Sequence, residues 1–136
     1  MIRRYKKQMS DQTIWAHKSW QPYVIGRGKD LIYIFHIESG AIGLAFEAPI
    51  TKEDILVIKR NPKRRLYLYA ALHDPFQLIK NHLTEEEVRW YFNCILHSKE
   101  DELESFINLI DEPKTSRVRY LANKFYEEAI SVEYTK

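Results

Sequence analysis

The sequence predicts an α+β protein in which an N-terminal antiparallel β-sheet packs against a C-terminal layer of three to four amphipathic helices. Residues 31–37 (LIYIFHI) and 42–47 are rich in β-branched and aromatic side chains, and Ser39-Gly40 between them is typical of a turn. Residues 88–96 and 103–110 instead carry apolar side chains at spacings of three and four, the period of a helix with one buried face.

Length and composition predict a single domain. The chain has 136 residues, enough to bury about 68% of its unfolded surface. Residues 1–12 are predicted to form a flexible arm or an edge strand. Cys94 is the only cysteine, so no intramolecular disulfide can form. The basic N-terminus is not followed by the apolar run of a signal peptide, and no apolar run is long enough to span a bilayer. We therefore expect a cytoplasmic protein without a membrane span.

Short turns and caps define the elements of the N-terminal half. Residues 22–26 are predicted to form a strand that ends in the glycine-containing turn at residues 26–30. Thr51 and Asp54 resemble a helix N-cap and an acid in the first helical turn, which predicts a helix over residues 52–60.

The segment after this helix can be interpreted in two ways. Asn61-Pro62 predicts the end of the preceding helix, because the residue before proline avoids the helical region. Residues 66–72 (LYLYAAL) alternate like a strand but contain the leucine and alanine of a helix, and the alternation favours a strand. Asp74-Pro75 then predicts the start of a short helix that ends near Leu83.

The C-terminal helices are predicted from their caps. Thr84 and Glu87 form a T-x-x-E capping box before one helix, and Ser98 with Asp101 predicts the start of the next. Thr115 or Ser116 is expected to cap a last helix.

No motif in the sequence indicates an enzyme, a metal site or a cofactor. The five histidines lack zinc-ligand spacing, and Cys94 with His97 has no second pair to complete a four-ligand site. A helical cysteine beside apolar residues is more often a packing residue than a nucleophile. If the protein were nevertheless a small enzyme with scattered residues, His36, His73 and Glu47 would be the first candidates.

A basic cluster supports an alternative function, the binding of nucleic acid. Five cations fall within seven residues, and two tyrosines that could stack on bases follow them. The competing interpretation is a solvated basic loop. The candidate nucleic-acid contacts are Lys59, Arg60, Lys63, Arg64 and Arg65.

An acidic pair of helices is the strongest candidate for a binding surface. Residues 82–112 contain nine Asp/Glu and two Lys/Arg, whereas residues 1–70 contain 13 Lys/Arg and six Asp/Glu. On a helical wheel, Trp90 lies about 200° from Val88 and therefore opposite the apolar stripe. The predicted partner-binding residues on the outer faces of the two helices are Glu86, Trp90, Asn93, His97, Asp101, Ser105, Asn108 and Glu112.

Trp90 leaves two alternatives open. An exposed tryptophan framed by polar groups is typical of a protein–protein interface. Alternatively, the helix is covered on both sides and Trp90 packs under the N-terminal segment, in which case the acids are an ordinary solvated face.

The stretch Gly43-Leu-Ala-Phe-Glu-Ala-Pro-Ile-Thr-Lys-Glu-Asp54, followed by acidic amphipathic helices, resembles a family of small bacterial proteins. These are the immunity proteins encoded beside polymorphic toxins, including those of contact-dependent growth inhibition. The resemblance implies a cognate toxin domain as partner, such as a nuclease, with one-to-one binding and no catalysis. It carries over no individual functional residue, and the basic first half of the chain departs from a wholly acidic inhibitor.

Overall fold

A computed structural model describes residues 2–18, 21–39, 42–76, 82–111 and 117–134, in which five strands precede five helices. This order confirms the predicted α+β architecture. The strands are β1 Arg3–Arg4, β2 Asp11–Trp15, β3 Tyr23–Arg27, β4 Asp30–Ser39 and β5 Ile42–Pro49. The helices are α1 Lys52–Arg60, α2 Pro62–Phe76, α3 Glu85–Leu96, α4 Glu100–Asp111 and α5 Arg117–Tyr134.

The strands form one antiparallel sheet in the order β1-β5-β4-β3-β2. The predicted hairpin is confirmed, since β4 and β5 pair from Ile32–Pro49 to Ser39–Ile42. The β3–β4 turn is also where the glycine pattern predicts it. Gly28 has a φ of 62°, a conformation that costs a side-chain-bearing residue energy and glycine almost none.

The predicted N-cap at Thr51 and the predicted capping box at Thr84 are confirmed, and both are capping boxes. The Thr51 hydroxyl accepts a hydrogen bond from the Asp54 backbone N–H, and the Asp54 carboxylate accepts one from the Thr51 N–H. Thr84 and Glu87 exchange the same two bonds at the start of α3. These reciprocal contacts satisfy donors that a helix start leaves unpaired, which explains why local sequence predicted both boundaries.

The prediction of a strand at residues 66–72 is wrong, because this segment lies in the middle of α2. Asp74-Pro75 accordingly does not begin a helix, and Pro75 lies in the last turn of α2. The physical reason is burial. Helix α2 packs against α1, α3, α5 and β4, and almost every side chain from residue 64 to residue 73 is buried. A helix that is buried all round shows no polar stripe, so its period is hidden.

One further helix start differs from the prediction, and another involves a residue that was not predicted to take part. The Ser98 hydroxyl does not cap α4 but donates to the Cys94 carbonyl, and the first bond of α4 runs from the Leu103 N–H to the Lys99 carbonyl. For α5, Thr115 and Ser116 lie outside the described residues. The buried Asp111 carboxylate at the end of α4 accepts the backbone N–H groups of Val118 and Arg119, and so caps α5 from a distant position in the sequence.

The core lies between the sheet and the helices. Tyr33 and Phe35 of β4 point towards the helices, where Phe92 and Phe76 meet them edge-on at ring-centroid distances of 5.3 and 5.2 Å. The opposite face of the sheet, here called the outer face, carries a smaller apolar cluster. It consists of Ile25, Ile32 and Ile34, with Tyr5 and Tyr23 packed against them.

Candidate functional site

The predicted partner-binding residues on α3, here called the α3 row, lie on the surface. Val88 and the other apolar residues of this helix are buried, while Glu86, Trp90, Asn93 and His97 are exposed. Trp90 keeps 47% of its surface exposed. The helical wheel therefore placed the outer face of α3 correctly.

The remainder of the Trp90 ring packs on two aromatic neighbours. Its centroid lies 5.0 Å from that of Phe106 in α4, with the rings nearly perpendicular, and 5.8 Å from that of Tyr91. These contacts place Trp90 at the boundary between α3 and α4 rather than under the N-terminal segment. Of the two alternatives, the structure supports the exposed one, with a ring orientation fixed by edge-to-face packing.

A group of hydrogen-bonded side chains, here called the Asp54 network, holds two exposed residues of the α3 row in place. It consists of Asp54, Arg89, Asn93 and His97. Asp54 in α1 is fully buried and accepts two hydrogen bonds from the Arg89 guanidinium, at 2.7 and 2.8 Å. His97 Nε2 lies 2.6 Å from the same carboxylate. Arg89 also donates to the Asn93 side chain at 2.9 and 3.1 Å. Asn93 and His97 are thus held by Arg89 and Asp54, and neither of these two anchors was among the predicted site residues.

The Asp54 carboxyl remains ionised although it is buried. Burial raises its pKa, but the hydrogen bonds from Arg89, Thr51 and His97 outweigh this effect and lower the pKa to about 2. The sequence identified Asp54 as a capping residue. Its second role, pairing with Arg89 at a separation of 35 residues, had no local signal.

The predicted partner-binding residues on α4, here called the α4 row, lie only partly beside the α3 row. Asp101, Ser105 and Asn108 are exposed, whereas Glu112 lies outside the described residues. The Asn108 side chain accepts a hydrogen bond from Arg119 of α5 at 2.7 Å. The edge-to-face contact between Trp90 and Phe106, the neighbour of Ser105, is the point at which the two rows approach each other.

Two other acids of α4 pair with basic residues inside the molecule. Lys63 of α2 forms ion pairs with Glu100 and with Glu104, and Arg119 lies 2.7 Å from Glu104. The proximity of these partners lowers the pKa of both carboxyls. Part of the acidity seen in the sequence is therefore neutralised locally, and the exposed charge is concentrated at Glu86 and Asp101 and their neighbours.

The basic cluster proposed for nucleic acid is divided by the fold. Arg64 and Arg65 are both only 8% exposed; Arg64 donates to the Ile95 carbonyl and Arg65 to the Ile58 carbonyl. Lys59, Arg60 and Lys63 are exposed, and Lys63 pairs with acids of α4 as described. A cluster that is continuous in sequence is thus not a continuous cationic surface, and this arrangement weighs against extended phosphate binding.

Two open grooves lie beside the N-terminal end of α3. One groove has a volume of about 690 Å³ and is lined by Thr84, Glu86, Val88 and Arg89. Pro49 and Glu85 line both grooves. The second, of about 670 Å³, continues along the sheet to cations of β1 and the β3–β4 turn. Its charged lining residues are Arg3, Arg27, Lys29, Asp30, Glu47 and Glu85. This concave surface was not predictable from the sequence, because it is assembled from distant elements.

The residues suspected of scattered catalysis do not converge. His36 and Glu47 lie on the outer face of the sheet, where Glu47 pairs with Arg27, while His73 is buried in α2 beside Phe125 on the helical side. Burial raises the pKa of the Cys94 thiol, so Cys94 is less readily ionised than a free cysteine. Across the described parts of the chain, no three His, Cys, Asp or Glu side chains are grouped to hold a metal ion.

The fold and this surface define an α+β protein with a half-exposed tryptophan at the boundary of two acidic helices. None of the helices within the described residues is both long and apolar enough to cross a membrane. Comparisons with protein-family models, with curated proteins and with solved structures gave no match.

Proposed function

We propose that the protein is a toxin-neutralising immunity protein that binds a cognate toxin domain through the outer face of α3 and α4. The observation that carries this proposal is the 47% exposure of Trp90 within a segment, residues 82–112, that has nine acids and two cations. Tryptophan is the residue most enriched among those that dominate binding energy, and such residues are typically framed by polar groups.

The acidic surroundings specify the chemistry of the partner. A domain that cleaves nucleic acid needs a positively charged cleft, and an inhibitor can block the cleft by presenting carboxylates to it. Complementary charge accelerates encounter and selects against wrong partners. Glu86 and Asp101 are the exposed acids of the predicted rows, and the groove lined by Glu86 extends this surface beside α3.

Contacts within the free protein already position part of the site. The Trp90 ring is held against Phe106, and the Asp54 network fixes Asn93 and His97. Side chains already ordered in the free protein lose less entropy upon association. This preorganisation favours a binding role over that of a loosely solvated helical face.

The decisive experiment measures binding to the toxin domain encoded next to this gene. Isothermal titration calorimetry would compare the wild type with Trp90→Ala, for which we expect at least a 30-fold loss of affinity, corresponding to about 2 kcal/mol. Tyr120→Ala is the matched control, since Tyr120 is an exposed aromatic residue on α5 and is 66% accessible. The control should bind as tightly as the wild type.

The charged part of the surface is tested with Glu86→Gln and Asp101→Asn in one protein. We expect a slower association rate and a weaker dependence of that rate on salt, with little change in the dissociation rate. Glu53→Gln, at an exposed acid on α1, controls for the effect of removing one negative charge outside this surface. If the combined Glu86, Trp90 and Asp101 variant binds the toxin domain like the wild type, this face is not the interface. If the wild type neither binds the domain nor protects cells from it, the proposed function is wrong.

A further inference from the structure

Arg65 is a buried cation without a counter-ion among the described residues. It extends from α2, is only 8% exposed, and makes one hydrogen bond there, from Nη1 to the Ile58 carbonyl at 2.8 Å. Its Nε atom is buried and has no hydrogen-bond partner. A buried guanidinium normally pairs with a carboxylate, because its desolvation costs several kcal/mol. Among the described residues, Arg65 therefore lacks the carboxylate that would complete a structural ion pair.

The Tyr33 hydroxyl lies at the same place and is also unpaired. Tyr33 is 2% exposed, and its oxygen has no hydrogen-bond partner among the residues that the structure describes. Burial raises the pKa of Tyr33 well above its usual value, so the phenol is neutral and cannot act as the missing anion. It is instead a hydrogen-bond donor beside an uncompensated cation.

The Trp15 side chain lies beside Arg65 and Tyr33, on the side nearer the edge of the sheet. Its ring lies 5.4 Å from the guanidinium carbon of Arg65, a cation–π distance, and the neighbouring walls are formed by apolar side chains including Val24 and Ile58. The partly open space between these side chains leaves no room for a water molecule. A ligand could therefore enter only if a lining side chain such as Trp15 moved.

The position of Trp15 permits such a movement. Strand β2 is an edge strand, and its pairing with β3 is irregular between Thr13 and Trp15. The ladder is locally disrupted at such an irregularity, and bulges are frequent at sheet edges, where they redirect side chains. Trp15 is also only partly buried, so turning its ring towards solvent would expose less apolar surface than turning a fully buried tryptophan.

We propose that Arg65, Tyr33 and Trp15 form a binding site for a single carboxylate group, which enters when the Trp15 ring swings outward. The edge of the guanidinium that carries Nε and Nη2 matches the two oxygens of a carboxylate, and the Tyr33 hydroxyl supplies a third donor. One cation in an apolar enclosure suits a planar monoanion better than a phosphate, which carries more charge and needs more donors. The carboxylate belongs either to a small organic acid or to the C-terminus of a peptide.

The site is tested by the fluorescence of Trp15 in a protein that carries Trp20→Phe and Trp90→Phe. Formate, acetate and short peptides with free or amidated C-termini would be titrated at constant ionic strength, with chloride as the reference anion. We expect a saturable change in Trp15 emission with carboxylates and none with chloride or with the amidated peptide. Saturation by formate and acetate but not by the free-acid peptide identifies a small-acid site, and tighter binding of the peptide identifies a C-terminus.

Two variants separate binding from folding. Tyr33→Phe removes an unpaired hydroxyl, so it should leave the urea midpoint equal or higher while weakening carboxylate binding about tenfold. Arg65→Gln should abolish saturation, whereas Arg60→Gln, an equal change of charge at an exposed position, should not. An absence of saturation up to about 100 mM formate, or equal affinities in the wild type and Tyr33→Phe, would overturn the proposal.

Discussion

Replacing Asp54 with asparagine should destabilise the protein in a way that depends on pH. The wild-type carboxylate is fully buried and accepts hydrogen bonds from the Thr51 backbone, from Arg89 and from His97. Asparagine has nearly the same shape but only one acceptor oxygen, and its amide directs donors at a guanidinium. It can therefore preserve the packing but not the pairing with Arg89.

The magnitude follows from the pKa of Asp54, which falls from 3.8 to about 2 on folding. Each pKa unit corresponds to about 1.4 kcal/mol, so the ionised carboxyl contributes roughly 2 kcal/mol at neutral pH. Breaking a fully buried pair costs about 3–5 kcal/mol. Arg89 is 36% exposed and can be hydrated when the pair is broken. We therefore expect the free energy of unfolding to fall by less than for a fully buried pair, by about 2–3 kcal/mol.

Urea unfolding followed by circular dichroism measures this loss. With a denaturant slope of about 1–3 kcal/mol per molar urea, the midpoint should fall by about 0.7–3 M. Because the folded pKa lies below the unfolded value, the contribution is complete above about pH 4 and disappears as the pH falls through about 2. The difference in the free energy of unfolding between wild type and Asp54→Asn should therefore shrink as the pH falls from about 5 towards 2.

Asp101→Asn is the control, since it removes an equal charge from an exposed position. It should change the free energy of unfolding by less than about 0.5 kcal/mol. A loss for Asp54→Asn that persists unchanged at pH 2 would show that the Asp54 network does not act through the ionised carboxylate.

Three other substitutions test separate features of the fold by the same urea measurements. Asp111→Ala should cost about 1–2 kcal/mol, because it removes the side chain that caps α5; Asp111→Asn, which keeps a capping oxygen, should recover part of the loss. Gly28→Ala should cost about 1 kcal/mol, since its φ of 62° is unfavourable for alanine, and no loss would mean that the turn readily adopts another conformation. Lys63→Ala should cost less than about 1 kcal/mol despite two ion pairs, because Lys63 is 49% exposed; a loss above 2 kcal/mol would contradict this.

Features that depend on nearby residues were predictable from sequence, and features made by distant residues were not. The Thr51 and Thr84 caps close over three residues, and the one-sided periods of α3 and α4 reflect which face meets the core. The same periodicity placed Trp90 away from the buried stripe, although it could not show that Phe106 would hold its ring.

The failures share one physical origin, which is that polar groups were buried by tertiary contacts. Arg64 and Arg65 look like a solvated basic cluster in sequence, yet both are buried against backbone carbonyls. Helix α2 resembles a strand because packing on every side removes the polar positions that reveal a helix. The Asp54–Arg89 pair spans 35 residues, so only the fold brings it together.

The strand order determines when the β5 edge of the sheet can be paired during protein synthesis. Strands β1 and β2 are made before β3, β4 and β5, but in the described sheet they lie at opposite edges, and β1 pairs there with β5, the last of the five strands to be made. The chain between them passes over the outer face, where Tyr5 packs against Ile25, Ile32 and Ile34. The amino-terminal segment must therefore wait for the rest of the sheet before it can close the β5 edge. A protein shortened to begin at Asp11 would lose the cover of this isoleucine cluster and the strand that protects the edge at the same time, and both changes favour self-association.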